Sequence, residues 1–179
     1  MRPCRLHIFG ASGTGASSLG RAMADAWSVP FHDTDDYFWA PTEPPYQSRR
    51  TEGERLALMR QMFLPRRAWI LAGSLIGWGD PLIPQFDAVV FLTLDPEARR
   101  ARLAAREEAR YGAASVAPGG RYHGEYLAFM DWAAQYDDPA FTGRSLRRHR
   151  DWLVRLSVPV IELDAALPPD ELVARLLAA

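Results

Sequence analysis

Apolar positions along the chain alternate between two periods, one suited to strands and one to helices. Arg5-Leu6-His7-Ile8-Phe9 is a short β-prone run, and from Ser17 onward Leu19, Ala22, Met23, Ala26 and Trp27 recur on one helical face. Val29-Pro30-Phe31-His32 reads as a second strand ending in Asp33-Thr34-Asp35-Asp36, and the YFWAPTEPPYQSRR that follows is too rich in proline and aromatics for a regular element. Residues 52–64 return to helical spacing through Leu56, Met59 and Phe63. Two apolar runs, Trp69-Ile70-Leu71-Ala72 and Ala88-Val89-Val90-Phe91-Leu92, have the length of buried parallel strands and are separated by a loop over 73–87. Asp95-Pro96-Glu97 starts a helix, with Asp as N-cap and Pro at the first helical position. A helix over 122–135, a last strand over 158–163 and a closing helix over 170–177 complete the pattern. Repeated strand–helix units of this kind predict an α/β domain, a parallel sheet with helices on both faces.

Composition narrows the class. A chain of 179 residues that is 48% hydrophobic supports one compact domain over 1–179, in which the small residues and glycines of 109–122 suit a lid. A formal net charge of −1 provides no global basic field, so neither nucleic acid nor an anionic membrane is an expected partner. The single Cys4 excludes an intramolecular disulfide, and no apolar stretch is long enough for a membrane span; both point to a cytoplasmic protein. The four histidines are scattered without metal-ligand spacing, which argues against zinc. All 21 basic residues are Arg, so any cation placed on a bound anion is arginine or metal.

That last point matters because of residues 8–20, IFGASGTGASSLG. The spacing Gly10-x-x-x-x-Gly15-x-Ser17, after a strand and opening a helix, satisfies the phosphate-loop pattern except that Ala16 stands where its lysine belongs. Such a turn aims backbone N–H groups and the positive end of a helix dipole at an anion, so Gly10, Ala11, Ser12, Gly13, Thr14, Gly15, Ala16, Ser17 and Ser18 are the candidate phosphate cradle. Ser17 holds the position of the Mg²⁺-binding hydroxyl. Losing one aimed charge costs on the order of 3–4 kcal/mol of transition-state stabilisation, so binding should survive its absence better than catalysis. The competing reading is a glycine-rich turn that binds nothing.

Asp33, Asp35 and Asp36 crowd the end of the second strand and repel one another unless a cation or a substrate hydroxyl shares the space. Asp33 is the candidate metal ligand through water, and Asp35 the preferred general base. A solvated acidic turn with Asp36 as a cap is the alternative. Arg99, Arg102, Arg106 and Arg110 recur at helical spacing as a basic stripe leading into the lid, with Arg121 beyond it and Arg144, Arg147 and Arg148 on a later helix. Arginines closing from that region, with Arg106, Arg110 and Arg144 as candidates, would supply the charge Ala16 lacks; the rival is a charged helix face in water. Tyr37, Phe38, Trp39, Tyr46 and Trp78 fall in loops after strands two and three, where stacking on a planar substrate and simple loop anchoring are both open. Arg49, Arg50 and Asp80 are their polar partners, and Tyr136-Asp137-Asp138 is either a pocket wall or a helix-ending turn.

Taken together, GASGTGAS, HDTDDYFWAPTEPPYQSRR, LAGSLIGWGDPLIPQFDAVVFL and AREEARYG resemble the adenylate-kinase-like and shikimate-kinase-like P-loop proteins. They are more closely similar to a sparsely characterised bacterial subgroup labelled adenylate kinase or AAA-type ATPase, in which the lysine position is commonly Thr. The resemblance covers nearly the whole chain, and its most specific segments are DTDDYFW with PTEPP, and GSLIGWGDPLIP. It implies a three-layer α/β/α fold with a five-stranded parallel sheet in the order 2-3-1-4-5, a short lid, and phosphoryl transfer from ATP with Mg²⁺ to a small-molecule acceptor. By the same resemblance Asp33 and Asp35 match the acidic pair after strand two, Gly73 the substrate-side glycine, and Arg106 and Arg110 the lid-entry arginines. The candidate acceptor-side residues are Asp35, Trp39, Arg50, Gly73 and Trp78. Two further readings stay open: a nucleotide-binding module without turnover, and an NAD(P)-binding Rossmann domain, since Gly10-x-x-Gly13 with an acid some 20 residues on fits a loosely read dinucleotide fingerprint.

Overall fold

A computed structural model describes residues 1–43 and 45–179; Pro44, within the PTEPP segment, lies outside the described residues. Five strands, β1 (Arg5–Gly10), β2 (Phe31–Asp33), β3 (Trp69–Ala72), β4 (Ala88–Thr93) and β5 (Val160–Asp164), form one sheet in the order β2-β3-β1-β4-β5. Every pairing is parallel, with Leu6 opposite both Ile70 and Ala88 at the centre. The order decides against the Rossmann reading. A dinucleotide-binding sheet sets the second strand beside the first, whereas here β3 takes that place.

Alternation along the central strands sends successive side chains to opposite layers. Leu6, Ile8, Ile70, Val90 and Leu92 pack with Leu19, Met23 and Trp27 of α1 (Ala16–Trp27) and Leu172 and Leu176 of α8 (Pro169–Ala178). Phe9, Leu71, Val89 and Phe91 pack on the other face with Leu56 and Met59 of α3 (Glu52–Met62) and Trp152 of α7 (Leu146–Leu153). Burying each such side chain contributes roughly 1.5–3 kcal/mol, so these two layers dominate the stability of the fold. The remaining helices are α2 (Thr34–Phe38), α4 (Pro96–Tyr111), α5 (Ala113–Val116) and α6 (His123–Ala134).

Local chemistry accounts for the boundaries. Thr51 and Glu54 form a reciprocal capping box at the start of α3, and the Asp95 carboxylate accepts from the Glu97 and Ala98 amides at the start of α4. Several expectations shift. The segment after β2 is not wholly irregular: the Asp33 carboxylate accepts from the Asp35 amide and starts α2, so Asp33, rather than Asp36, is the cap. Beyond α2, Trp39 and Arg49 meet in an antiparallel bridge. The 73–87 loop contains a 3₁₀ turn over Asp80–Gln85. Strand two begins two residues later than its apolar pattern suggests, and strand five extends over 160–164, not 158–163.

Candidate active site

β1 delivers the chain into the glycine turn at the carboxyl end of the central strand, where ligands gather in open parallel sheets. Gly13 and Gly15 take left-handed conformations, φ +88° and +87°. A Cβ on Gly13 would lie 2.9 Å from the Arg99 carbonyl of α4, whereas one on Gly15 meets nothing within 4 Å. Thr14 is buried beneath the turn and donates its hydroxyl to the Ala11 carbonyl at 2.9 Å, bracing the loop from inside. Gly15 is the N-cap of α1 and has no side chain over the first turn, so the helix start opens onto free space. Ser17 donates to the Asp33 carboxylate at 2.5 Å, which joins the cradle to the end of β2.

In front of this turn lies a cavity of about 740 Å³. Ser12, Asp35, Trp39, Trp78, Arg106, Arg110 and Arg144 line it, so the structure brings together predicted residues from five separate stretches of chain. Asp35 stands exposed on the cavity wall, with its carboxyl partly buried from bulk water by the protein around it. That burial, together with the neighbouring Asp33 charge, raises its carboxyl above the usual range; Arg144 and Arg106 partly oppose the shift. Asp36 is raised for the same two reasons.

The arginines divide by partner rather than forming one stripe. Arg99 turns inward, where it pairs with Asp137, and Arg102 donates to the Ala165 carbonyl. Arg106 and Arg110 reach the cavity but straddle the buried Glu107 carboxylate at 2.9 and 3.6 Å, which offsets one of their two charges. Arg144 differs: it lies in the loop before the Ser145 cap of α7, not on a helix as its spacing suggested. Its guanidinium donates to the Ser12 hydroxyl at 2.5 Å and stacks 4.7 Å above the Trp132 ring. Among the described residues it has no ion pair, and burial pushes its pKa down. The described arginine in hydrogen-bond contact with the glycine turn is therefore this one.

Not every predicted residue faces the cavity. Arg50 donates to the backbone carbonyls of Asp36, Tyr37 and Trp39, so it clamps the end of α2, and Arg49 takes the place on the wall. Gly73 (φ +107°) sits behind the wall, where a Cβ would lie 2.0 Å from the Thr34 hydroxyl; its bare Cα lets β3 meet the start of α2. Asp137 is spent on Arg99, and Tyr136 bonds to His149, which places that tripeptide in the helix-ending turn and out of the cavity lining. Sequence reasoning missed Ser74, Glu107 and Trp132. Ser74 was signalled only by following Gly73, and the other two only by their helical spacing to Arg110 and Phe129.

The described residues contain no group of three or more His, Cys, Asp or Glu able to hold a metal by themselves. The Ser17 hydroxyl and the Asp33 carboxylate offer a pair of hard oxygens, a set suited to Mg²⁺, which keeps several waters and completes its shell with ligand phosphates. No helix among the described residues is long and apolar enough to cross a membrane.

No family model matches the chain. Over 172 residues it is 37% identical to the "Uncharacterized protein YqaC" of Bacillus subtilis (strain 168), a match covering 96% of this chain and 94% of that protein. The chain belongs to the YqaC family. Among solved structures it resembles a gluconokinase from Sinorhizobium meliloti 1021, at 21% identity and a TM-score of 0.55 over 99% of this chain and 92% of the other. A shikimate kinase from Bacteroides thetaiotaomicron gives 18% and 0.55, over 98% and 96%. The shikimate kinase from Acinetobacter baumannii in complex with shikimate gives 16% and 0.50, over 99% and 92%. At these identities the likeness establishes that this YqaC relative has the fold of the P-loop kinases, and leaves its substrate to the site itself.

Proposed function

We propose that the protein is a Mg²⁺-dependent phosphotransferase that takes its phosphoryl group from ATP and delivers it to a small molecule bound in the 740 Å³ cavity. The carrying observation is the Arg144 guanidinium on Ser12 of the glycine turn, a cation supplied from the far end of the chain to a loop whose lysine position is Ala16. A planar guanidinium fork suits phosphate oxygens at least as well as an ammonium does.

In this reading Gly10 to Ser18 hold the nucleotide phosphates and Ser17 and Asp33 hold the metal; bound there, Mg²⁺ and ATP supply a transferable phosphoryl group with its charge partly neutralised. Asp35, with its affinity for protons raised by burial and by Asp33, takes the proton of the acceptor hydroxyl. Trp39 and Trp78 on the cavity wall orient the acceptor, with Arg49 beside them. Arg106 and Arg110, tied to Glu107 at the end of α4, lead into the 109–122 segment as a lid. The acceptor kinds suggested by the folds it resembles are sugar acids and hydroxy acids, and nucleoside monophosphates follow from the aromatic wall.

The test incubates the protein with Mg-ATP and a panel of gluconate, shikimate, nucleoside monophosphates and simple alcohols, and follows ADP. Acceptor-dependent ADP release supports the proposal. Thermal stabilisation by Mg-ADP with no turnover on any acceptor would leave a nucleotide-binding module instead, and no heat with either nucleotide would end both readings.

A further inference from the structure

Beneath the cavity wall runs a short chain of polar side chains that the phosphoryl-transfer reading does not use. Ser74, on the wall immediately after β3, lies 3.2 Å from Nε2 of His149, whose Nδ1 lies 2.8 Å from the Tyr136 hydroxyl. His149 is fully buried, wedged edge-on against Phe9, Phe91 and Tyr136. Burial first, then Arg144, His7 and Arg148, hold its pKa down to about 3, so near neutral pH the ring carries one N–H. Neither His149 nor Tyr136 lines the cavity.

The position of that single proton sets the polarity of Ser74. With the proton on Nδ1, the imidazole donates to the phenol oxygen, and the buried Tyr136 O–H is left with no acceptor among the described residues. With the proton on Nε2, the phenol donates to Nδ1 and the ring donates to Ser74, so both buried donors are satisfied. An unpaired buried donor is the costlier defect, which selects the second arrangement. Ser74 also accepts from the Ile76 amide at 3.4 Å. Both acceptor directions of its hydroxyl are then filled from within the protein, and its own proton is the one left to face the cavity.

We propose that Ser74 is an obligate hydrogen-bond donor of the cavity, that His149, its Nδ1 filled by the Tyr136 phenol, is the positioning residue that fixes its polarity, and that the ligand places an acceptor oxygen against it. A hydroxyl free to rotate would donate or accept as the ligand demanded; this one discriminates against ligands that present only a donor there. Identifying that ligand as the phosphoryl acceptor rests on the function proposed above, whereas the polarity of Ser74 does not.

The test begins with ¹⁵N spectra of the full chain labelled at histidine, the His149 signals being identified by their loss in His149→Gln. A protonated Nε2 and a bare, hydrogen-bonded Nδ1 are expected. Tyr136→Phe should move the Nδ1 signal toward that of a bare nitrogen with no hydrogen bond and leave Nε2 protonated. A wild-type ring protonated on Nδ1 overturns the proposal whatever the protein's activity. With any panel acceptor that releases ADP, Ser74→Ala should raise the KM for that acceptor about 3–10-fold, with the KM for Mg-ATP unchanged and Ser74→Thr close to wild type. An unchanged acceptor KM in Ser74→Ala overturns it while phosphoryl transfer stands. If no acceptor is found, phosphoryl transfer falls and the tautomer alone decides the polarity of Ser74.

Discussion

Removing Arg144 separates its work on a ligand from its work in the fold. The side chain is half-buried, donates to Ser12 on the glycine turn, stacks on Trp132, and has no carboxylate partner within ion-pair distance among the described residues. Its lowered pKa means that folding desolvates this charge without repaying the loss. In Arg144→Ala the stacking lost, about 0.5–1 kcal/mol, is offset by relief of that desolvation, so the melting temperature should stay within a few degrees of wild type. Binding should behave differently. A hydrogen bond from a charged group contributes about 1.5–3 kcal/mol, which converts to roughly 10- to 150-fold weaker affinity for the Mg²⁺ complex of a non-hydrolysable ATP analogue. Arg144→Lys should recover part of that loss, because it restores the charge without the fork. Arg147→Ala, exposed on α7, removes the same charge away from the turn and serves as the control. The assay is calorimetric titration of the three variants. An Arg144→Ala protein that folds and binds the analogue within twofold of wild type would refute the assignment of this arginine to the phosphates, and with it the carrying argument for phosphoryl transfer.

Three other perturbations probe the cradle, the base and the core. Ala at Gly15 meets open space and pays only for left-handed backbone, about 1–2 kcal/mol, so it should fold and lose nucleotide binding; Ala at Gly13 adds a 2.9 Å approach to the Arg99 carbonyl and should unfold at markedly lower urea. Equal urea midpoints for the two would contradict the described turn. Asp35→Asn should lower kcat on a working acceptor about 10²–10⁴-fold with little change in the KM for Mg-ATP, and a kcat within threefold of wild type would exclude Asp35 as the base. His7 is fully buried, stacked on Phe9 and Phe86, and burial pulls its pKa to about 4 from 6.5. Since the folded pKa of this base is depressed, its stabilising share is complete above pH 6.5 and is lost as the pH falls toward 4; His7 alone accounts for about 3 kcal/mol there. Buried His149 is depressed in the same window, so His7→Phe should make the fall in urea stability shallower without abolishing it, and an unchanged slope would show that other groups carry it.

The order of strands and helices was legible because apolar runs such as Val89 to Leu92 and helical stripes such as Leu19, Met23 and Trp27 are local patterns enforced by burial. The glycine turn was legible for a similar reason, since its backbone path depends on residues within eight positions of one another. Boundaries near residues 29–50 were less so. There the Asp33 cap and the Arg50 clamp on three carbonyls override the local proline and aromatic signals and shape a helix and a bridge. Helical spacing likewise made Arg99, Arg106 and Arg110 look equivalent. Their distinct fates follow from Asp137 and Glu107, the first 38 positions away from its partner Arg99.

By itself the sequence determined the parallel α/β architecture, the glycine-rich turn that opens the first helix and the absence of lysine, all properties of adjacent residues or of composition. Only the tertiary structure decided which cation stands over the turn and which side chain backs Ser74 on the cavity wall. Arg144 reaches Ser12 across 132 residues, and Ser74 meets His149 across 75. Such pairings depend on where the sheet order and the loop before α7 deliver each side chain, and residue spacing carries no information about separations of that kind.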